Sequence, residues 1–270
     1  MTKPYQMEGR DYQILFLGLF LGLGIYERDW SFAWITVPCL LLTCLATQTL
    51  WQKDKQLNWK SPTITALSLS LLLRSNHLWV IVLAGVLAIS SKFVFQIKDK
   101  HWFNPANFGI VTMLCLTKDA WVSPGQWGDD LWLALVFLSC GGLVLQKVGR
   151  LDTTCAFLGG YGLLVLTRDI YLGWTIDVFI HQMMSGSLLL FALFMLTDPR
   201  SIPNSRQMRI VWSLGIAILA FIFQFGWHRS DGIFYALFLA SPLTILCDRL
   251  QRGDNFSWQE RPPIFAISNH

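Results

Sequence analysis

Residues 78–95 read LWVIVLAGVLAISSKFVF and contain a single charged side chain, Lys92, near their end. A helix that crosses the hydrocarbon core of a bilayer needs about 20 mostly apolar residues. A lysine near the end of such a helix can extend its ammonium group toward water while its methylene groups stay in the apolar layer. This run therefore predicts a membrane-spanning helix, and Lys92 marks the end that lies near the interface.

Nine similar apolar windows flank this run along the 270-residue chain, of which 53% is hydrophobic and 14% charged. A soluble domain carries about 25% charged residues, so this composition excludes a nucleic-acid-binding protein and argues against a soluble enzyme. We predict an all-α, polytopic integral membrane protein with about ten transmembrane helices. The windows lie near 12–26, 33–51, 61–74, 78–95, 106–118, 130–147, 152–168, 177–197, 210–226 and 233–248. The third and fifth hold only about 13 strongly apolar residues, fewer than the roughly 17 that a straight span requires, which predicts short, broken or re-entrant helices there. The sequence allows two five-helix halves but shows no clear repeat.

The placement of lysine and arginine predicts the orientation. If each window crosses once, sixteen of the 21 basic residues fall at the termini and in alternate connections, and five fall on the other side. Cytoplasmic connections of membrane proteins are rich in lysine and arginine. We therefore expect a multi-pass protein of the cell membrane with both termini in the cytoplasm. The predicted membrane domain covers residues 1–250, and residues 251–270 form a cytoplasmic tail.

Cysteine and histidine give no metal signature. The six cysteines include no CxxC pair, which argues against a zinc site or a disulfide framework. None of the five histidines sits in mid-membrane opposite another, which argues against a bis-histidine haem. Walker, GxSxG and HExxH motifs are absent from the sequence.

The connection after the fourth window is the first candidate site. Lys92 is either an interfacial lysine or a cation that faces an anionic or electron-rich ligand. In the segment NPAN, Asn104 and Pro105 form a helix-start signal, which needs no ligand. Asn104 and Asn107 also offer both donors and acceptors, so they are candidates to bind the edge of a heterocycle.

The connection after the eighth window is the second candidate site. Ser185 and Gly186 lie in its apolar run, where small residues permit close helix packing or the approach of a flat ligand to the backbone. Thr197 and Asp198 end the run. Asp198 either marks the interface and pairs with a nearby arginine, or contacts an ion or ligand at the membrane boundary.

These two connections resemble one known family, the membrane protein that is the B subunit of the sodium-translocating NADH:quinone oxidoreductase and the D subunit of the Rnf electron-transport complex. The matching residues are Lys92, the turn Phe103-Asn104-Pro105-Ala106 with Gly109, Ser185-Gly186, Phe194 and Thr197-Asp198-Pro199. The resemblance implies ten helices, cytoplasmic termini, other membrane redox subunits as partners, and a noncovalent flavin (riboflavin or FMN) near the cytoplasmic side. In that site Asn104 and Asn107 would contact the isoalloxazine edge, Lys92 would stabilise the reduced anion, and Thr197 and Asp198 would close the pocket.

The sequence departs from the family at one motif. The resemblance implies a Ser/Thr-Gly-Ala-Thr segment, whose last threonine carries FMN covalently, in the outer connection after the fifth span. Residues 117–128 read TKDAWVSPGQWG, and the motif occurs nowhere in the chain. We therefore predict that covalent FMN is absent, as in a divergent, stand-alone branch similar to members encoded near enediyne biosynthesis enzymes.

Three functions remain open from the sequence. The first is a membrane electron carrier with a noncovalent flavin. The second is a transporter of a small molecule or ion with no redox role, which short or broken spans favour. The third is a scaffold protein that only packs against other membrane proteins.

Overall fold

The structure is a computed structural model, and it describes residues 7–28, 33–52, 58–97, 100–123, 131–254 and 256. These residues form twelve α-helices, two π-helical segments and four short strands. The chain is a helical, polytopic membrane protein, as the sequence predicts. Most of the predicted tail, residues 255 and 257–270, lies outside the described ranges, so its cytoplasmic placement stays a prediction.

The first half of the chain contains five helices and all four strands. Its helices are α1 (Gly9–Arg28), α2 (Ala33–Trp51), α3 (Lys60–Leu72), α4 (Leu78–Val94) and α5 (Pro105–Leu116). Its strands are β1 (Leu73–Ser75), β2 (Gln96–Ile97), β3 (Lys100–His101) and β4 (Ala120–Val122). Two antiparallel pairs form, β1 with β4 and β2 with β3. The all-α prediction is therefore right for the helices but misses these two ribbons.

The second half contains seven helices and the two π-helical segments. Its helices are α6 (Leu131–Val148), α7 (Leu151–Tyr171), α8 (Ile176–Met183), α9 (Gly186–Leu190), α10 (Arg206–Phe221), α11 (Gly232–Ala240) and α12 (Leu243–Leu250). The π-helical segments, Phe191–Met195 and Ile222–Gly226, continue α9 and α10. The α8–α9 and α11–α12 pairs are bent by 49° and 48° at their breaks.

Each of the ten apolar windows corresponds to one helix or one bent pair of helices. Fewer than ten of these helices are long and apolar enough to cross a membrane. Among the described residues, Trp34–Trp51 and Arg206–Gly226 are long and apolar enough to cross a membrane, and the two bent pairs raise the number to four. The number of ten crossings therefore stays a prediction. The third and fifth windows do form short helices, of 13 and 12 residues, whereas the breaks occur in the eighth and tenth windows.

Helix packing in the two halves follows the same scheme. In the first half α2 packs on α4 and α4 on α5; in the second half α7 packs on α10 and α10 on α11. The halves meet where α1 contacts α6 and α5 contacts α11. At the first of these contacts Phe20 stacks on Phe137 with ring centroids 3.7 Å apart. This arrangement is consistent with two related five-element halves. It also places the starts of α3 and α5 beside the end of the α9 segment, which we define as α9 with its π-helical continuation, residues 186–195.

Candidate functional site

The two connections that the sequence singles out meet in the folded chain. The backbone N–H of His101 donates a 3.0 Å hydrogen bond to the carbonyl oxygen of Arg200. The side-chain Nδ2 of Asn104 donates to the carbonyl oxygen of Met195 over 3.2 Å. The segment between α4 and α5 is thus hydrogen-bonded to the end of the π-helical segment Phe191–Met195 and to the residues that follow it. About 100 residues separate the two segments in sequence.

Local hydrogen bonds shape the two segments that meet at this junction, the start of α5 and the π-helical segment Phe191–Met195. Asn104 caps α5, because its Oδ1 accepts the backbone N–H of Asn107 at 3.0 Å, and Pro105 occupies the first turn. On the other side, the π-helical register gives a hydrogen bond of 2.8 Å from Leu196 N–H to Phe191 O. Single-turn π-segments are frequent at functional sites. Here the segment ends at Met195, the residue whose carbonyl oxygen accepts from Asn104.

A cleft opens at this junction and encloses about 70 Å³, room for a few water molecules. Its wall combines residues from α1, α3, the start of α5, the end of the π-helix and the two connections. The lining residues are Arg10, Gln13, Asn58, Ser61, Ile64, Thr65, Ser68, His101, Asn104, Pro105, Ala106, Phe194, Met195, Asp198, Pro199 and Arg200.

The α3 side of the cleft is a stripe that sequence reasoning missed. Ser61, Ile64, Thr65 and Ser68 follow one another at helical spacing, so they share one face of α3. Three hydroxyl groups on one face of a short apolar helix are the signal that could have identified this wall. Gln13 of α1 adds an amide to the cleft wall and is only 5% exposed.

Two charged groups of the second connection face the cleft without forming an ion pair. Oδ1 of Asp198 accepts the backbone N–H of Arg200 at 3.2 Å. Among the described residues, the guanidinium of Arg200 has no side-chain partner. Arg10, by contrast, donates to Glu8 at 2.9 Å and to Asn58 at 3.2 Å. Arg200 is therefore the cation of the cleft whose hydrogen-bonding capacity is available to a ligand.

Lys92 lies behind the cleft wall and is buried, with 4% exposed. Its Nζ donates to Oε1 of Gln48 at 2.9 Å and to Oγ of Ser61 at 3.0 Å. Its partners in the described part of the chain are neutral, so its charge is not neutralised by a carboxylate at hydrogen-bond distance. Lys92 thus influences the cleft in two ways, through its hydrogen bond to Ser61 and through the electrostatic potential of its positive charge.

His101 is the second buried titratable group at the cleft. Its Nδ1 lies 3.1 Å from the backbone carbonyl oxygen of Lys92. Burial lowers the pKa of His101 to about 4, and the positive charges of Lys92 and Arg200 act in the same direction, against the carboxylate of Asp198. The imidazole is therefore neutral at pH 7, and Nδ1 must carry the proton because a carbonyl oxygen only accepts.

The predicted site residues fall into four groups by their position relative to the cleft, and Ser185 and Gly186 form the last of them. Asn104, Pro105 and Asp198 line the cleft, and Lys92 lies one hydrogen bond behind it. Asn107 and Thr197 are buried outside its wall, where Asn107 Nδ2 donates to Phe234 O at 3.2 Å and Thr197 Oγ1 donates to Leu193 O at 2.8 Å.

Ser185 and Gly186 lie at the opposite end of the α9 segment from the cleft. Nine residues separate Gly186 from Met195, on the order of 13 Å along a helix axis. The structure therefore does not bring Ser185 and Gly186 to the cleft that Asn104 and Asp198 form. Gly186 begins α9 directly after the bend, so these small residues serve the break between α8 and α9. Among the described residues, no group of three or more His, Cys, Asp and Glu side chains is placed to hold a metal ion.

Comparison with known proteins gives the family. Residues 122–257, just over half of the chain, match the model of the NQR2, RnfD, RnfE family. The chain belongs to this family. A curated relative from Alcanivorax borkumensis, named as the D subunit of an ion-translocating oxidoreductase complex, is 25% identical across 80% of this chain and 83% of its own length. A protein of the same name from Vibrio atlanticus is 33% identical over 48% of this chain and 36% of its own length.

Family membership confirms the resemblance that the two connections indicated. It also confirms that the chain is a multi-pass membrane protein. The cleft bridges the matched region and the part before it. Phe194, Met195 and Arg200 lie inside the matched residues, whereas Ser61, His101 and Asn104 lie before them.

Proposed function

We propose that this chain is a membrane subunit of an ion-translocating electron-transport complex and that it holds riboflavin or FMN noncovalently in the cleft. The observation that carries the proposal is the junction itself. The two segments that bear the family motifs, 100–105 and 194–200, are hydrogen-bonded to each other and form one wall of a polar cleft. The complex-forming role is taken from the named relatives.

The chemistry of the cleft suits a flavin. An isoalloxazine ring has two carbonyl oxygens, ring nitrogens and a flat apolar face, and the ribityl chain adds hydroxyl groups. The cleft offers amide, hydroxyl and imidazole groups beside the apolar side chains of Ile64, Phe194 and Met195. Its enclosed volume of about 70 Å³ is smaller than three fused rings, so binding requires the cleft to widen. Arg200 is the side chain best placed to move, since no described side chain holds it.

The residues of the chain would bind and orient the cofactor, and the flavin would supply the redox chemistry when bound. Asn104 already uses one amide hydrogen and one lone pair of Oδ1, which leaves one of each for a ligand. Arg200 would attract the phosphate of FMN or the electron-rich reduced ring. Lys92, buried behind Ser61, would favour negative charge in the cleft.

Attachment in this proposal is noncovalent. The resemblance implies a Ser/Thr-Gly-Ala-Thr segment whose last threonine carries FMN, and the sequence contains no such segment, which supports noncovalent attachment.

Visible absorption of the detergent-purified chain, before and after acid precipitation, tests the proposal. We expect a flavin spectrum that passes into the supernatant. Arg200→Gln should weaken binding of added FMN at least tenfold, whereas Arg229→Gln, a change in an arginine away from the cleft that pairs with Asp231, should leave it unchanged. Flavin that stays with the pellet would contradict noncovalent attachment. A folded protein that binds neither riboflavin nor FMN would overturn the flavin site.

Transport without a redox role is a second candidate, and the bends of 49° and 48° in the α8–α9 and α11–α12 pairs favour it. Interrupted helices near the bilayer centre are a common feature of transporter binding sites. Ion or solute uptake by liposomes that contain the purified, colourless chain would support this function, and a flavin spectrum without uptake would oppose it.

We also propose that both termini lie in the cytoplasm and that the partners are other membrane redox subunits. The lysine and arginine distribution supports the orientation, and the names of the relatives support the partners. Reporter fusions after Gln251 test the orientation, because alkaline phosphatase should be inactive there and a fluorescent protein should fold. The opposite pattern would contradict it.

A further inference from the structure

Lys92 contacts two cleft residues with two different groups. Its Nζ donates to Ser61 Oγ at 3.0 Å, and its backbone carbonyl oxygen receives His101 Nδ1 at 3.1 Å. Both Ser61 and His101 line the cleft, whereas Lys92 stands behind them. Lys92 therefore determines whether the Ser61 hydroxyl and the His101 imidazole each offer a donor or an acceptor to the cleft.

The polarity follows from what each partner can do. A lysine ammonium only donates, so Ser61 Oγ accepts from it and keeps its own hydroxyl hydrogen for another acceptor. A carbonyl oxygen only accepts, so His101 Nδ1 donates and Nε2 keeps a lone pair. In the described part of the chain, neither that hydroxyl hydrogen nor that lone pair has a protein partner. His101 is 8% exposed, and its Nε2 is not among the fully buried polar atoms of the described residues that lack a partner, so this atom stays accessible from the cleft that His101 lines.

The geometry points to a donor–acceptor pair, the hydroxyl of Ser61 and Nε2 of His101, that binds a ligand edge with a carbonyl group beside an N–H. The C4 carbonyl and N3–H of an isoalloxazine ring form such an edge. This assignment rests on the proposed flavin site and deepens it, because it states which edge of the ring enters the cleft and which residues select it. His101 was absent from the residues that the sequence predicted for the site.

His101→Asn separates this binding role from the structural role of the imidazole. Asparagine places an amide N–H near the position of Nδ1, so it can still donate to the carbonyl oxygen of Lys92, but it has no atom at the position of Nε2. The matched control is Ser139→Ala, which removes an exposed helix hydroxyl that donates to the carbonyl oxygen of Leu135 away from the cleft.

The experiment measures binding of lumiflavin and of N3-methyl-lumiflavin to the purified full chain by fluorescence titration. A site that hydrogen-bonds an N–H strongly rejects the analogue that lacks it. We expect the wild type and Ser139→Ala to prefer lumiflavin at least tenfold. His101→Asn should lose that preference because lumiflavin binds more weakly, while the affinity for the methylated ring stays constant. Ser61→Ala should weaken both ligands by a similar factor.

Four results would overturn the assignment. An unchanged preference in His101→Asn would show that Nε2 does not bind the N–H. A preference lost because the methylated ring binds more tightly would show a steric effect of the imidazole instead. A wild type that binds flavins without preferring lumiflavin would place another edge in the cleft and leave the proposed flavin function intact, whereas a wild type that binds neither would overturn both.

Discussion

The imidazole Nδ1 of His101 lies 3.1 Å from the backbone carbonyl oxygen of Lys92, so the segment after α4 turns back onto the last turn of that helix. The same residue donates its backbone N–H to Arg200 O. His101 thereby joins α4 to the second connection, and its neutral state is part of how the junction is held together.

This contact predicts acid sensitivity. Because the pKa of His101 falls to about 4 in the folded chain from about 6.5 in an unfolded one, the unfolded state binds the additional proton between these values. Its contribution to stability is fully present above pH 6.5 and is lost as the pH falls toward 4. We expect this residue to account for about 2 kcal/mol of lost stability at pH 5, measured by unfolding in detergent at pH 7.5 and pH 5.

His101→Asn is the control, since asparagine can keep the bond to Lys92 O and does not titrate. The variant should lose less stability between the two pH values than the wild type. Equal losses in the two proteins would show that other groups cause the acid sensitivity.

A glycine sets the distance between α4 and α5. A Cβ at Gly109 would lie 2.8 Å from the backbone oxygen of Ala84 and 3.0 Å from Ala88 Cβ. Since neither the α4 backbone nor an alanine Cβ can rotate away, Gly109→Ala should destabilise the fold by about 1–3 kcal/mol and shift Asn104 at the cleft. Thermal unfolding measures the first effect, and flavin titration measures the second.

Gly159→Ala is the matched change in α7, where nothing lies within 4 Å of the added Cβ. Alanine is the better helix former, so this variant should be as stable as the wild type or more stable. Similar unfolding of both variants would contradict a packing role for Gly109.

Asn104 both caps the start of α5 and lines the cleft. Two substitutions separate these two roles. Asn104→Ala removes the bond to Asn107 N–H and should cost about 1 kcal/mol. Asn104→Ser restores a cap oxygen but shortens the side chain and loses the amide. If Asn104 binds the flavin, both variants should lose flavin affinity while only the alanine variant loses the cap contribution to stability. Full binding by the serine variant would limit Asn104 to its structural role.

The fold was predictable because it depends on features that the sequence shows locally. Apolar windows report helices in a membrane protein, and the NPAN segment predicted the start of α5 at Pro105, which the structure confirms. The position of the breaks was not predictable in this way. The eighth window contains Ser185 and Gly186 beside its bend, but α7 contains Gly159 and Gly160 and continues without a break, so small residues alone do not locate a bend.

The site was only partly predictable for a similar reason. Asn104 was found as a helix-start signal and Asp198 as the end of an apolar run, but their proximity rests on tertiary bonds such as Asn104 Nδ2 to Met195 O. Asn107, three residues after Asn104, points to α11 instead. His101 has no distinctive motif in the sequence, and only the carbonyl oxygen of Lys92 gives it a defined tautomer.

The loop that carries Asp198 and Arg200 depends on a buried ion pair at the start of α10. Arg209 donates to Oδ2 of Asp152 at 2.7 Å and to the carbonyl oxygen of Asn204 at 2.6 Å. The side chains of Arg209 and Asp152 are only 7% and 10% exposed. Removing one partner of such a pair leaves an uncompensated buried charge and costs about 3–5 kcal/mol. Arg209→Met should therefore lower stability strongly and weaken flavin binding, measured by thermal unfolding and titration.

The double variant Asp152→Asn with Arg209→Met distinguishes the pair from the arginine alone. It removes both charges, so it should recover part of the stability that the single variant loses, because no carboxylate remains buried without a partner. Arg229→Met provides the comparison for an exposed pair, since Arg229 is 48% exposed beside Asp231, and it should cost less than about 1 kcal/mol. If the double variant were no more stable than Arg209→Met, the bond to Asn204 O, and not the charge of Asp152, would be what holds this loop against the cleft.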